Sequence, residues 1–171
     1  VKLIKDNFNI IQEHTYRCLA NDVLVEKKIP VNPIWQEFFE YHTSQDYFKT
    51  VIKLFEKYMP NYQWLEQQTA RIRNTQGDTK VVTDTQFVVH QPYHTTTRTT
   101  HIDNPIEFYA GLLYFRQRGD RSSGGDFMIY DSPEIKDVYK KKGREIPENI
   151  SIKDHTSVPY KENTFVMFLN S

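Results

Sequence analysis

Near Gln68 the apolar period of this 171-residue chain changes from that of a helix face to that of short strands. Ahead of that point Pro33 follows Asn32, and Trp35, Phe38, Phe39 and His42 recur at helical spacing, which predicts a short amphipathic helix. Ser44 can cap a second and stronger helix over 44–59. There Tyr47, Phe48, Val51, Ile52, Leu54, Phe55, Tyr58 and Met59 form one apolar stripe that Pro60 is expected to stop. Residues at this spacing form core rather than a ligand surface. Residues 1–30 alternate weakly, and Leu3, Ile4, Phe8, Ile10 and Ile11 suit a short strand followed by a helix start. Beyond Gln68, Thr and Val dominate, Gly77 and Asp78 supply a turn, and strands are predicted near 81–91, 107–117, 127–130, 150–153 and 164–169. Helices followed by several strands with no helix between them predict a β sandwich or barrel buttressed by helices on one side.

Length fits one domain, here with 1–68 as a helical support region and 81–171 as the β core. The 22 basic and 22 acidic side chains cancel, so no global field draws the chain to nucleic acid or to an anionic membrane. The basic stretch over 136–144 reads as a solvated loop. A single cysteine, Cys18, excludes an internal disulfide and a thiolate zinc cluster, and a reducing, cytoplasmic compartment is the expectation. No apolar run approaches the roughly 20 residues of a membrane helix. The start, Val1-Lys2-Leu3-Ile4, has neither an initiator Met nor the order of a signal peptide, which suggests a cut into a longer chain.

The chemistry concentrates at His101-Ile102-Asp103. In extended backbone, residues two apart share a face, so the imidazole of His101 and the carboxylate of Asp103 can converge on one ion while Ile102 turns away. One nitrogen and one carboxylate oxygen make up two thirds of the facial triad of non-haem Fe(II) oxygenases. A surface ion pair is the plainer reading of the same two residues.

Downstream come Phe108-Tyr109-Ala110-Gly111-Leu112-Leu113-Tyr114-Phe115, a charged loop, Ser123-Gly124-Gly125-Asp126-Phe127, and a Pro159-led turn into Thr164-Phe165-Val166-Met167-Phe168-Leu169. This order resembles the 2-oxoglutarate and Fe(II)-dependent dioxygenases of the prolyl-hydroxylase type over roughly 85–171. The resemblance implies a mainly β fold with flanking α elements: a double-stranded β-helix, or jelly roll, with helices on the outside of one sheet and the 44–59 helix across the larger one. It implies Fe(II) as metal, 2-oxoglutarate as cosubstrate, and oxidative decarboxylation coupled to hydroxylation of an organic substrate. His101 and Asp103 would be iron ligands. Tyr114 would aim its hydroxyl at a 2-oxoglutarate carboxylate, Gln91 would be a weaker pocket residue, and Gly124 and Gly125 would be structural.

The family pattern continues with a second histidine and then an Arg or Lys, whereas this sequence stops at Asn170-Ser171. The expectation is therefore a fragment whose third ligand is absent from the chain and whose barrel is incomplete at the C-terminus. An open sheet edge would then favour a homodimer. His90, His94 and His155 are the possible substitutes as ligand. The competing expectations are a jelly-roll binding module without catalysis and a cupin-like metalloprotein without 2-oxoglutarate. Loops 71–79 and 94–100 would select a substrate, peptide or small molecule, that the sequence does not identify.

Overall fold

The computed structural model describes residues 17–88, 100–104, 106–131 and 154–170. The expected elements before Arg17, the strand at 150–153, the basic stretch 136–144, and Gln91, His90 and His94 lie outside the described residues. The chain divides into two compact units, Val1–His90 and Gln91–Ser171. Its secondary structure is mixed α/β, with small sheets of two strands each and no closed barrel among the described residues.

The first unit runs β1 (Arg17–Leu19), a π-helical turn (Asn21–Val25), α1 (Pro33–His42), α2 (Gln45–Leu54), α3 (Tyr62–Glu66), β2 (Ala70–Ile72), β3 (Val81–Thr83) and β4 (Gln86–Val88). Both sequence-read caps are present: Asn32 Oδ1 accepts from the Ile34 amide at 3.1 Å, and Ser44 Oγ from the Tyr47 amide at 3.1 Å. The second helix is shorter than its apolar stripe. α2 ends at Leu54 and is followed by a 3-10 turn, Glu56–Tyr58, rather than continuing to Met59. Pro60 acts upstream of itself. It disfavours helical dihedrals at Met59, which is extended at φ −101°, ψ 105°, so the last turn tightens before it. Leu54 (67% exposed), the last residue of α2, and Tyr58 (74% exposed), in the 3-10 turn, stand in solvent, contrary to the expectation that the whole stripe is covered. Phe48, Val51 and Ile52 are buried, and α2 packs on α1, α3 and β2.

Two polar side chains tie these helices to the strands. Gln45 opens α2 and offers both ends of its carboxamide to the start of β2: Nε2 donates to Gln68 O (3.1 Å) and Oε1 accepts from Ala70 N (2.7 Å). Thr83 Oγ1 donates to Thr43 O (3.0 Å), satisfying the carbonyl of the first of the two residues between α1 and α2. The strand expected over 81–91 is broken at Asp84-Thr85. β3 pairs parallel with β2, whereas β4 pairs antiparallel with β1, Cys18 opposite Phe87. The loop joining the parallel pair carries no helix among its residues 73–80. Phe87 is buried against α1, its ring centroid 4.1 Å from that of Trp35 and 4.8 Å from that of Phe39.

The second unit is built of β5 (Tyr109–Tyr114), β6 (Phe127–Asp131), β7 (Asp154–Val158) and β8 (Thr164–Leu169). β5 pairs with β8 and β6 with β7, both antiparallel, so one pair is nested inside the other along the sequence. Cross-strand partners share a face, which puts Ala110, Leu112 and Tyr114 on the same side as Phe168, Val166 and Thr164. Phe168 stacks on Phe127 with centroids 5.0 Å apart, and the two ribbons meet there.

Candidate functional site

His101 occupies a β-bridge position just ahead of β5, and its Nε2 lies 3.5 Å from Asp103 Oδ1. Both side chains are about three-quarters covered, at 26% and 25% exposure, so they face one another rather than bulk solvent. Asn104 closes the segment as a turn. Its Oδ1 accepts from Ile106 N at 3.3 Å and its carbonyl from Glu107 N at 2.8 Å. The same carbonyl accepts the side-chain amide of Asn170, just past β8, and Asn170 N donates to Phe108 O at 3.1 Å. The β5·β8 ladder is thereby prolonged by one rung, with the His101–Asp103 segment tied to its end.

At the opposite end of that ladder, Tyr114 pairs with Thr164 and is half-buried. Its ring meets Tyr160 edge-on, centroids 5.1 Å apart. Burial pushes the Tyr114 hydroxyl above its ordinary pKa, and the nearby Asp126 and Tyr160 add to the rise, so the phenol stays a neutral donor at physiological pH. Asp126 fixes the corner by accepting from Tyr160 N at 2.8 Å and from Ser157 Oγ at 3.4 Å.

The two glycines before Asp126 have different reasons to be glycine. Gly124 (φ +81°) opens onto empty space and is set by conformation alone. Gly125 (φ +83°) has the same backbone, and in addition a Cβ there would come within 3.3 Å of the Tyr160 ring.

Sequence reasoning passed over Arg116. Its guanidinium donates to the carbonyls of Tyr160 (3.1 Å), Asp120 (3.3 Å) and Ser122 (2.8 Å), stacks 5.2 Å from the Tyr160 ring centroid, and lies 3.7 Å from the Asp120 carboxylate. One fork of donors thus closes both the loop after β5 and the turn before β8. Two residues beyond Tyr114, it is visible in the sequence only as a charge near the end of the strand expected over 107–117. Asn163 was missed as well. It holds φ 58° in the turn ahead of β8, a conformation Asn tolerates, and its amide donates to Tyr114 O at 3.0 Å.

The donor set at His101 and Asp103 fits a first-row divalent ion. Two ligands at roughly 2.1 Å from a shared ion stand about 3–3.5 Å apart, which is the separation observed. A third ligand is not supplied nearby: among the described residues no group of three His, Cys, Asp or Glu could hold a metal. His155, one of the possible substitutes, lies exposed on β7 opposite Tyr130, on the other face of its ribbon from Phe127.

A cavity of about 580 Å³ opens elsewhere, in the first unit, between Val23, Leu24, Ile29 and α1. Its lining includes one carboxylate, Glu40, which accepts from Gln36 at 2.9 Å, and one amine, Lys27. Histidine and cysteine are missing from that lining. Cys18 is buried, and desolvation raises its thiol to about 11, which leaves it protonated and unreactive. Among the described residues no helix is long and apolar enough to cross a membrane. No family model, curated protein or solved structure matches this chain.

Proposed function

We propose that the second unit carries two ligands of a non-haem Fe(II) site in a jelly-roll oxygenase that uses 2-oxoglutarate. The observation that carries this reading is the His101–Asp103 contact at 3.5 Å, held three-quarters covered at the entry to β5. The strand order supports it. Nested antiparallel pairs, β6·β7 inside β5·β8, are what a jelly roll requires where its long hairpin folds over, and Phe127 on Phe168 is a contact between the two layers.

In this reading the imidazole of His101 and the carboxylate of Asp103 would hold the ion, and their covered surroundings would keep bulk water from its flank. Strand alternation puts Tyr114 on the face of β5 that meets the other ribbon, where a neutral phenol can donate to a carboxylate. Arg116 is committed to three carbonyls and to Asp120, so its role is to hold Tyr160 and Tyr114 in place rather than to bind cosubstrate. The bound iron would supply the chemistry that couples decarboxylation of 2-oxoglutarate to insertion of oxygen into a substrate C–H bond.

Anaerobic titration with Fe(II) and then 2-oxoglutarate tests the reading through the visible metal-to-ligand absorption band. The band is expected in the wild type, weakened by Tyr114→Phe and abolished by His101→Ala and by Asp103→Ala. Metal uptake that survives both alanine substitutions, or no uptake at all, would leave the fold as a binding module without oxygenase chemistry.

A further inference from the structure

We propose that Asn170 is a positioning residue for the His101–Asp103 pair, holding the Asn104 turn on the end of β8 and so fixing the angle at which the two ligands meet. The inference rests on the metal reading above for its purpose, but not for its geometry.

Asp103 immediately precedes Asn104, whose carbonyl belongs to the next peptide plane along, so anchoring that carbonyl restricts the path of the short backbone stretch from which the Asp103 side chain projects. That carbonyl has two lone pairs and two partners. Glu107 N takes one and closes the turn on itself, a bond that travels with the turn and cannot orient it against anything else. The Asn170 side chain takes the other and reaches the turn from a separate strand, 66 residues away. Asn170 is in turn fixed, because its own amide donates to Phe108 O and it follows Leu169, the residue paired with Tyr109.

A carboxamide is the group this geometry needs. It supplies a side-chain N–H while the main-chain N–H is already committed. An aspartate of the same shape would bring two acceptor oxygens against a carbonyl. Groups hydrogen-bonded directly to metal ligands typically cost about tenfold to a hundredfold in metal affinity when removed, and a tether to the backbone beside a ligand belongs at the lower end of that range.

The test uses Asn170→Asp in the full chain, with Asn170→Gln as the variant that keeps a donor and Val166→Ala as a control. Val166 lies on β8 opposite Leu112, so its truncation loosens the same ribbon without touching the Asn104 turn. Two readouts are taken at one fixed pH: the His101 ring nitrogen resonances in metal-free protein, and Co(II) affinity from its visible absorption.

Asn170→Asp is expected to shift the His101 resonances and to weaken Co(II) binding by about tenfold or more. Asn170→Gln should recover part of both, and Val166→Ala should lower the melting temperature while leaving both near wild type. Unchanged His101 resonances in Asn170→Asp would overturn the positioning role, as would an equal response from Val166→Ala. Absence of Co(II) binding by the wild type would sink the metal reading alone, and the ring resonances would still decide the role of Asn170. Should Asn170→Asp fail to fold, solvent exchange of the Asn170 side-chain amide in the unmutated protein decides. Protected protons support the tether, and freely exchanging ones refute it.

Discussion

The two units are held together by different physics. In the first, Trp35, Phe39, Phe48, Ile52 and Leu65 are all but completely removed from water, and every buried hydrophobic residue among those described precedes His90. In the second, Leu112 and Ile129, on the faces that meet across the two ribbons, are still 39% and 45% exposed. Its order comes from cross-strand ladders and from polar knots: Arg116 on three carbonyls, Asp126 on Tyr160, and Asn170 on Asn104. The residues proposed as ligands, His101 and Asp103, stand in the unit of the second kind. Directional bonds fix angles in a way that apolar burial does not, and ligands that must meet at one ion need angles.

The sharpest way to break the contrast is to hollow the first unit. Phe39→Ala removes a fully buried ring that touches Phe87 and Phe38, and should cost about 3–5 kcal/mol. Urea unfolding followed by tryptophan fluorescence, with Trp35 as the buried reporter, measures it. The second unit should show no comparable single truncation. Leu112→Ala, already partly in water, is expected to cost well under half as much.

The reverse experiment cuts a polar knot. Arg116→Lys keeps the charge but cannot span three carbonyls with one ammonium, and should cost about 2 kcal/mol, with most of the loss in the order of residues 116–122 and of Tyr160. Hydrogen exchange at the Asn163 amide, which is bonded to Tyr114 O, reads the damage locally. Exchange unchanged from wild type would show that apolar contacts carry this unit after all.

Much of the first unit was legible from local chemistry. Asn32 with Pro33, and Ser44 ahead of an apolar period, each state a helix start within four residues. The π-helical turn at Asn21–Val25 was not legible, because its Val-rich sequence favours a strand and tertiary packing decides otherwise. Nor was the parallel pairing of β2 with β3, where Arg71 and Arg73 hide a three-residue strand.

In the second unit the contact of His101 with Asp103 was readable, since two residues so close in sequence need no long-range information, although the segment is a single bridge ahead of β5 rather than a strand. The long-range partners of the turns around that contact were not readable. Arg116 reaches 44 residues to Tyr160, and Asn170 reaches 66 to Asn104. Polar residues in turns carry no period that announces such pairings.

The two adjacent glycines sharpen the comparison within the second unit. Gly124→Ala meets only backbone strain at φ +81° and should cost about 1 kcal/mol. Gly125→Ala adds a methyl 3.3 Å from the Tyr160 ring, which Arg116 and Asp126 prevent from retreating. A loss of about 2 kcal/mol is expected, along with a change in the absorbance of Tyr114 and Tyr160 that Gly124→Ala does not produce. Equal losses would mean that the corner tolerates the ring moving and that the polar knot is loose.

The smallest effect concerns pH, and it belongs to the first unit alone. His42 ends α1 with Nδ1 2.8 Å from Phe38 O and its ring 4.0 Å from Phe38 and 4.8 Å from Tyr47. Burial lowers its pKa below the ordinary imidazole value, although the Phe38 carbonyl partly opposes the shift by favouring the charged form. The unfolded chain then binds a proton more readily than the folded one. The stability from neutral His42 is fully present above the unfolded value of about 6.5 and is lost as pH falls from there toward the lower folded value. Comparing urea midpoints near pH 7.5 and near pH 5.5 should show a drop on acidification that is smaller in His42→Gln than in the wild type. Taking the difference between the two proteins cancels the other groups that titrate in this range. An identical drop in both would place the pH sensitivity elsewhere and show that the aromatic surroundings of His42 admit water freely.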